Sequence, residues 1–358
     1  MRVPYVYPMT LILSNDDVEA LLPMSECIGA LEEAYRELAH ERAVNALRTD
    51  AVSTTARPDA VYSLKLMGGV IPSLGVGAVR LNSDIISFGA ERQVKLPLAP
   101  GSRYTGLVLL FSSETGEPLA IFPDGVLQRM RVGAASALGI KYLARSDAHT
   151  VGLIGAGWQA GAQVMAIAAL RKVEVVRCYS PTREKREAFC AEITEKTGVT
   201  VQPVASPEEA VKGAGIVLCA TNATGYVFLG KWLEPGMHVG SIRGPELEPD
   251  VVRRADVIGI HDRTARATIT TTRGVVMPKA RHAIAGVEDL TSAAPTLGEL
   301  IAGMAKGRTS SNQTSCFLNL TGIGLQFAAA GAAVYRKARE AGRGRELPTE
   351  WFTEDVVP

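Results

Sequence analysis

Short apolar runs alternate with amphipathic stretches through the second half of the chain. We predict strands at 173–179, 199–204, 216–221, 237–242 and 257–260, and helices at 183–195 and 206–212. Strands that helices cover on both faces are apolar throughout, so this alternation is typical of a doubly wound parallel sheet. The pattern predicts an α/β fold with a Rossmann sheet.

The pattern before residue 128 is different. Helices are predicted at 14–22 and 25–42, and they are followed by glycine-punctuated strands at 61–67, 77–81, 106–112 and 119–122. A long alanine- and glycine-rich helix is predicted over 316–341, apolar enough to pack back onto this region. We therefore expect a smaller α+β domain for substrate binding and dimerisation (1–127 and 318–358) beside a dinucleotide-binding domain (128–317).

A glycine motif gives the second domain its candidate chemistry. An apolar strand enters the turn Gly155-Ala-Gly157-Trp-Gln-Ala160, and a helix follows to residue 170. Gly155 would permit a sharp turn, Gly157 would let the backbone approach a pyrophosphate, and Ala160 would allow close packing. The helix begins near Trp158 and Gln159, and the backbone amides of its first turn would point at the phosphates. The alternative is a glycine turn in an ordinary α/β domain.

Further cofactor-binding candidates lie at the ends of the later strands, namely Thr221, Gly240 and Ser241. An NAD site should carry an acid about twenty residues after the glycines. This strand ends instead in Ser180-Pro-Thr182-Arg183. Hydroxyls and a guanidinium can bind a 2′-phosphate that an acid would repel, so NADP(H) is favoured over NAD(H). The alternative is that Arg183 belongs to the solvated first turn of a helix.

Composition narrows the class of protein. The chain has 358 residues, 47% of them hydrophobic, and a net charge of +1. It therefore presents no overall field that would attract nucleic acid or an acidic membrane. No apolar stretch is long enough to span a bilayer. Five scattered cysteines favour a reducing cytoplasm, and neither the cysteines nor the five histidines have the spacing of a metal site.

Residues 130–145, Met-Arg-Val-Gly-Ala-Ala-Ser-Ala-Leu-Gly-Ile-Lys-Tyr-Leu-Ala-Arg, resemble a helix of the ornithine cyclodeaminase and μ-crystallin family, with Val132 where threonine is usual. Together with the glycine strand that follows, this is the most specific part of a resemblance that covers nearly the whole chain. Further matching segments are 46–49, 123–125, 235–241 and 297–300. The resemblance implies an NAD(P)-dependent enzyme, expected to be a homodimer, that acts on a small α-amino or α-imino acid.

The resemblance also implies that a cluster of cations holds the substrate carboxylate beside the nicotinamide. It places Arg48 and Arg131 in that cluster, and Arg80 where the family usually has lysine. Lys65 is added from the sequence itself, because it interrupts an apolar strand and is costly to bury without an anion. A guanidinium can grip a carboxylate through two parallel hydrogen bonds. Surface salt bridges are the alternative for all four side chains.

Two positions depart from the cyclodeaminase pattern. Ile242 stands where these enzymes carry an aspartate that serves the substrate amino group, and Phe327 stands where an acid is common. Isoleucine cannot accept or relay a proton, so ornithine cyclisation is not expected. If an acid is needed, the candidates are Asp124, Glu246 and Asp262.

We therefore expect an NADP(H)-dependent oxidoreductase that interconverts an α-imino or cyclic ketimine carboxylate and its amino acid. An imine that arrives protonated is already electrophilic, so Ile242 is compatible with hydride transfer. Two alternatives stay open. One is a cyclodeaminase that uses another carboxylate, and the other is a non-catalytic protein that binds NADPH and a small ligand.

Overall fold

A computed structural model describes residues 8–88, 93–99, 101, 103–275 and 284–354 of the chain. Its strands form two sheets that occupy different parts of the sequence. One sheet is fully parallel and the other is mixed. The α/β class and the Rossmann sheet predicted from the alternating pattern are confirmed.

The parallel sheet has seven strands in the order β11-β10-β9-β12-β13-β16-β14. The order reverses between β9 and β12, so the chain segments that leave the carboxyl ends of these two strands run in opposite directions and open a crevice. The strands are β9 (Thr150–Ile154), β10 (Val175–Tyr179), β11 (Val201–Pro203), β12 (Ile216–Cys219), β13 (His238–Ser241), β14 (Val257–Ile260) and β16 (Ser315–Leu318).

The mixed sheet has ten strands, eight of them in the order β15-β3-β4-β5-β7-β8-β1-β17, while β2 pairs with β4 and β6 with β5. Its long central hairpin of β4 and β5 pairs Lys65 with Asn82 and Met67 with Arg80. The strands are β1 (Met9–Ile12), β2 (Val44–Asn45), β3 (Arg48–Thr54), β4 (Ala60–Ile71), β5 (Val76–Phe88), β6 (Gln93–Leu96), β7 (Thr105–Ser112), β8 (Pro118–Pro123), β15 (Ala267–Thr271) and β17 (Arg345–Pro348).

One buried helix, α3 (Gly125–Leu143), connects the two sheets. It follows β8 directly and leads into β9, and 13 of its 19 residues are buried. A Cβ on Gly133 would lie 2.6 Å from the carbonyl oxygen of Ala162, so the glycine allows α3 and α4 to approach closely. The other helices are α1 (Asn15–Leu21), α2 (Met24–Ala39), α4 (Trp158–Leu170), α5 (Arg183–Thr197), α6 (Pro207–Val211), α7 (Pro249–Arg254), α8 (Glu288–Ala293), α9 (Leu297–Ile301) and α10 (Gly324–Ala341). Short 3-10 turns cover Pro72–Leu74, Gly230–Trp232, Gly244–Glu246 and Thr349–Phe352.

The prediction of one helix over 316–341 was wrong at its start. Ser315–Leu318 forms the buried strand β16, inserted between β13 and β14, and the helix begins only at Gly324. A short, fully buried strand and a buried helical segment have the same apolar composition, so periodicity alone cannot separate them.

Two further segments join the mixed sheet, and one of them lies outside the range expected for it. Strand β15 lies within the range predicted for the dinucleotide domain, yet it pairs in parallel with β3 of the mixed sheet. The tail returns as β17, antiparallel to β1, and leaves Trp351 66% exposed. Within the described ranges, no helix has both the length and the apolar composition needed to cross a membrane.

Candidate active site

The crevice at the switch point has a volume of about 890 Å³. Its walls are built from the loops that follow β9, β10, β12 and β13. Gly155 makes the first turn with φ of 118°, and a Cβ there would lie 2.2 Å from the carbonyl oxygen of Ala220. Only glycine fits this turn, because both the backbone conformation and the space exclude a side chain.

The next positions of the motif fit a dinucleotide. Nothing lies within 4 Å of a Cβ built on Gly157, so the backbone at the start of α4 is open to the crevice. Ala160 is fully buried against the sheet. Trp158 and Gln159 line the crevice, and the buried Oε1 of Gln159 has no hydrogen-bond partner among the described residues. Exposed amides at the start of a helix provide the donors that a pyrophosphate needs.

The wall at the tip of β10 carries the hydroxyls expected for a 2′-phosphate. Ser180 and Thr182 both line the crevice, together with Tyr179 and Lys185. Arg183 is not part of this lining, and its Nε donates to Glu187 at 2.8 Å with the arginine side chain 76% exposed. The structure therefore places the Arg183 guanidinium beside Glu187 and not in the crevice lining. Its contact with the cofactor stays a prediction.

Glu246 joins the ends of β12 and β13. Its Oε1 accepts from the backbone nitrogen of Thr221 at 2.5 Å and from the hydroxyl of Thr221 at 2.9 Å. Its Oε2 lies 2.8 Å from the hydroxyl of Ser241 and accepts from the backbone nitrogens of Ile242 and Arg243 at 3.2 and 3.1 Å. Burial raises the pKa of this carboxyl group, and the hydrogen bonds from Thr221 and Ser241 oppose the shift.

This arrangement gives the remaining cofactor candidates different positions. Thr221 lines the crevice, whereas Ser241 is buried beneath it against Glu246. Gly240 is buried within β13, where a Cβ would lie 3.1 Å from a methyl carbon of Leu218. Thr221 can therefore contact a dinucleotide directly. Ser241 and Gly240 are buried and can only stabilise the loop that follows β13.

A row of charged side chains crosses the inner face of the mixed sheet. Arg48 makes two hydrogen bonds of 2.7 Å to the carboxylate of Asp50, and Arg80 lies 2.6 Å from Asp124. Asp84 accepts from both Lys65 at 2.6 Å and Lys95 at 2.9 Å. Burial is the largest cause of the lowered pKa of both Lys65 and Arg131, and the charge of Arg48 contributes to each, so Arg48 lies within electrostatic reach of both cations.

Arg131 differs from the other cations because no carboxylate of the described residues pairs with it. Its Nη1 donates to the amide oxygen of Gln326 at 2.9 Å, and Gln326 donates in turn to the hydroxyl of Tyr35. The side chain fits only because residue 322 is glycine, where a Cβ would lie 2.2 Å from Nη1. Burial and the nearby charge of Arg80 lower the pKa of Arg131 to about 9, and its Nε is buried without a partner in the described structure.

The three candidate acids have different surroundings. Asp124 is buried in its ion pair with Arg80, and Glu246 is fully engaged by Thr221, Ser241 and the backbone. Asp262 lies just after β14, is half-buried and accepts from the backbone nitrogen of Thr264 at 2.7 Å. Its charge raises the pKa of Tyr35, after the larger effect of burial, and Asp262 has no ion-pair partner in the described chain.

The ornithine cyclodeaminase/mu-crystallin family matches residues 9–342. The chain belongs to this family. This confirms the resemblance drawn from residues 130–145 and the shorter segments. The matched residues include strands of both sheets, so they include both the crevice and the row of charged side chains on the mixed sheet.

Curated relatives of this family member include reductases. A Delta(1)-pyrroline-2-carboxylate reductase of Bacillus cereus is 29% identical over 342 residues, which cover 94% of this chain and 99% of the relative. An uncharacterized cyclodeaminase of Sinorhizobium fredii is 29% identical over 345 residues, with 94% and 98% covered. The reductase supports the predicted class of NAD(P)-dependent oxidoreductase.

A solved structure of a reductase is also similar to this chain. The Delta(1)-pyrroline-2-carboxylate reductase of Thermococcus litoralis, in complex with NADH and L-proline, superposes with a TM-score of 0.76 at 25% identity. The match covers 94% of this chain and all of that one. Binding of a nicotinamide cofactor is thus a property of this relative, as the glycine motif predicts for the present chain.

Several residues of the site were not predicted. Asp50 and Asp84 are the carboxylate partners of the cations, and Gln326 and Tyr35 hold Arg131. One signal was available, since Asp50 lies two positions after Arg48 on one strand and therefore on the same face. The other contacts join residues far apart in the sequence, and no local pattern contains them.

Proposed function

We propose that this family member is an NADP(H)-dependent reductase that converts an α-imino acid, or a cyclic imine carboxylate such as Δ1-pyrroline-2-carboxylate, to the amino acid, or catalyses the reverse reaction. The observation that carries the proposal is Arg131, a buried guanidinium without a carboxylate partner in the described chain. A buried cation without an anion is costly, and a substrate carboxylate would remove that cost.

The residues of the chain would perform three tasks. Arg131, supported by the positive charges of Arg80 and Arg48, would bind and orient the carboxylate. Ile242, which lines the crevice, would exclude water beside the imine carbon without offering a competing acid or base. Gly157 and the start of α4 would fix the pyrophosphate. The bound nicotinamide supplies the hydride, and orientation of an already protonated imine supplies the rest of the rate enhancement.

We propose that the residues at the tip of β10 favour binding of NADP(H) over NAD(H). Ser180 and Thr182 face the crevice there, and no acidic side chain belongs to the described lining of the cavity. An acid at this position is what normally binds the 2′-hydroxyl of NAD. NAD(H) is the alternative, which titration of both cofactors will decide.

A homodimer is proposed from the outer face of the mixed sheet. Apolar side chains are exposed together there on β2 and β4, namely Val44, Leu66 and Val70. An apolar patch of this kind on a sheet is typical of a subunit interface. A cytoplasmic location is proposed from the five buried cysteines, all of them free thiols.

The cyclodeaminase alternative is less well supported. Its intermediate steps need a carboxylate beside the substrate amine, and Ile242 and Phe327 occupy the two positions that the family pattern suggests. Asp124 and Glu246 are both engaged in other contacts. Asp262 is the remaining candidate for this role.

The test measures NADPH oxidation by Δ1-pyrroline-2-carboxylate and by keto acids mixed with amines. The proposal expects saturable oxidation with formation of the amino acid. Ammonia release from ornithine without net cofactor change would identify a cyclodeaminase instead. Tight binding of NADPH and imine without turnover would identify a ligand-binding protein.

A further inference from the structure

Three cations follow the tip of β10, and they have different surroundings. Arg183 pairs with Glu187 and does not belong to the described lining of the crevice. Arg186 is buried, donates to the carbonyl oxygen of Ser180, and its guanidinium carbon lies 5.6 Å from the ring centroid of Tyr179. Lys185 is exposed, lines the crevice and has no ion pair or hydrogen bond with the described residues.

We propose that Lys185 is the residue that recognises the 2′-phosphate of NADP(H), and so determines the cofactor specificity of the site. The inference rests on the proposed function, since it names the residue behind the proposed cofactor preference. It replaces the more obvious candidate from the sequence, Arg183.

Position supports the assignment. Lys185 lies in the first turn of α5 (Arg183–Thr197), where Ser180 and Thr182 line the same wall of the cavity. In a doubly wound fold this strand tip holds the ribose 2′ position of the adenosine half. Two hydroxyls and one ammonium group can therefore converge on a single phosphate, which is a charge-assisted arrangement.

The surroundings of Lys185 also support a phosphate ligand. A smaller hollow of about 380 Å³ adjoins the crevice and shares Gly157, Trp158 and Lys185 with it. Arg129 lines this hollow, with its guanidinium carbon 5.6 Å from the ring centroid of Trp158, and a single acid, Glu192, belongs to the described lining. Positive charge therefore exceeds negative charge in the described lining of this hollow. The excess would favour the additional 2′-phosphate that distinguishes NADPH from NADH.

The experiment is a fluorescence titration of NADPH and NADH against the full-length protein and its variants. For Lys185→Ala we expect NADPH to bind about 10-fold more weakly or worse, while NADH affinity changes by less than about twofold. Lys185→Glu should reverse the preference toward NADH, because a carboxylate repels the phosphate and can accept from a 2′-hydroxyl. Lys185→Arg should retain most of the preference.

Lys172→Ala is the matched control. Lys172 is exposed and lies before β10, at the opposite end of that strand from the crevice. The substitution removes the same charge from the same domain but far from the crevice, so the affinities for NADPH and NADH should both stay unchanged. Thermal unfolding of each variant confirms that the protein is folded, and titration does not depend on turnover.

Three results would overturn the proposal. Equal weakening of NADPH and NADH in Lys185→Ala would assign Lys185 to the shared pyrophosphate. Loss of the preference in Arg183→Ala but not in Lys185→Ala would return the role to Arg183. A wild-type preference for NADH, unchanged in Lys185→Ala, would refute both this assignment and the proposed NADP(H) preference, while imine reduction, which is measured separately, could still be correct.

Discussion

The guanidinium carbon of Arg131 lies 5.1 Å from the ring centroid of Phe327. The same ring lies 5.4 Å from the guanidinium carbon of Arg80. An aromatic ring attracts nearby cations but carries no net charge. Phe327 therefore stabilises two neighbouring arginines without neutralising either. Arg80 is paired with Asp124, whereas the charge of Arg131, which has no carboxylate partner among the described residues, stays available to an anionic ligand.

Arg131→Ala tests the role of this charge directly. We expect kcat/KM for the imine to fall at least about 100-fold, the loss expected when a carboxylate clamp of roughly 3 kcal/mol disappears. NADPH affinity should be nearly unchanged, because Arg131 is not part of the described lining of the crevice. Steady-state kinetics together with cofactor titration check both statements.

The geometry of the guanidinium gives a second comparison. Arg131→Lys should restore only part of the lost activity, because an ammonium group cannot bind a carboxylate through two parallel bonds. Arg57→Ala, which removes an exposed arginine paired with Asp59, is the control. Near-normal turnover in Arg131→Ala would return Arg131 to a purely structural role.

Phe327→Asp should weaken substrate binding in a specific way. A carboxylate between Arg80 and Arg131 would neutralise part of their charge, so we expect KM for the anionic imine to rise about 10-fold or more. Phe327→Leu removes the ring without adding charge and should raise KM less, since it leaves the positive charge of both arginines in place. If kinetics found the two variants equal, packing rather than charge would account for Phe327.

Glu246→Ala should loosen the cofactor loops. The substitution leaves the amide of Thr221 without its acceptor, and an unsatisfied buried donor costs about 1–3 kcal/mol. The amides of Ile242 and Arg243 lose the shorter of their hydrogen bonds and keep longer ones to Cys219 and Ser241. We expect a lower free energy of unfolding in urea and weaker binding of NADPH and NADH alike. Glu246→Gln retains one acceptor oxygen and should be intermediate. A variant with unchanged cofactor affinity would show that the loops hold their conformation without this carboxylate.

Asp84→Asn should alter stability in a pH-dependent way. Burial alone would raise the pKa of Asp84, but the charges of Lys65 and Lys95 bring it below its usual value. A lowered carboxyl pKa stabilises the fold above the unfolded value of about 3.9, and that stability is lost as pH falls through the folded value. At pH 7 the variant should lose about 3–5 kcal/mol, since the nearly buried Lys65 would keep its charge without a partner.

Urea unfolding at several pH values measures this effect. The difference between wild type and Asp84→Asn should shrink as the pH falls below about 4. Asp59→Asn is the control, because its ion pair with Arg57 is exposed and should contribute about 0–1 kcal/mol. A constant difference from neutral to acidic pH would mean that the ion pair does not carry the effect.

The cofactor half of the molecule was predictable because its signals are local. The strand at 257–260 was predicted with its observed bounds, and the turn at Gly155 follows from a backbone conformation that only glycine adopts readily. Family resemblance added Arg48, Arg80 and Arg131. These residues do lie on neighbouring elements with connected charges.

What could not be predicted depends on contacts between distant segments. The pairing of Lys65 with Asp84 follows from the register of β4 and β5, which sequence patterns do not fix to a single residue. The edge strand β15 is short and polar on its exposed face, so it resembles a loop. The choice between Arg183 and Lys185 depends on a side-chain contact with Glu187, which the spacing of four residues permits but does not require.

One measurement tests the central claim most directly. The enzyme is supplied with NADPH and Δ1-pyrroline-2-carboxylate in one reaction, and with ornithine and NADP⁺ in another, and proline is quantified by chromatography alongside the cofactor. We predict one proline formed per NADPH oxidised in the first reaction, and no appreciable proline in the second, because Ile242 cannot assist the amine chemistry. Proline from ornithine at a rate comparable to imine reduction, or no NADPH oxidation by the imine at all, would contradict it.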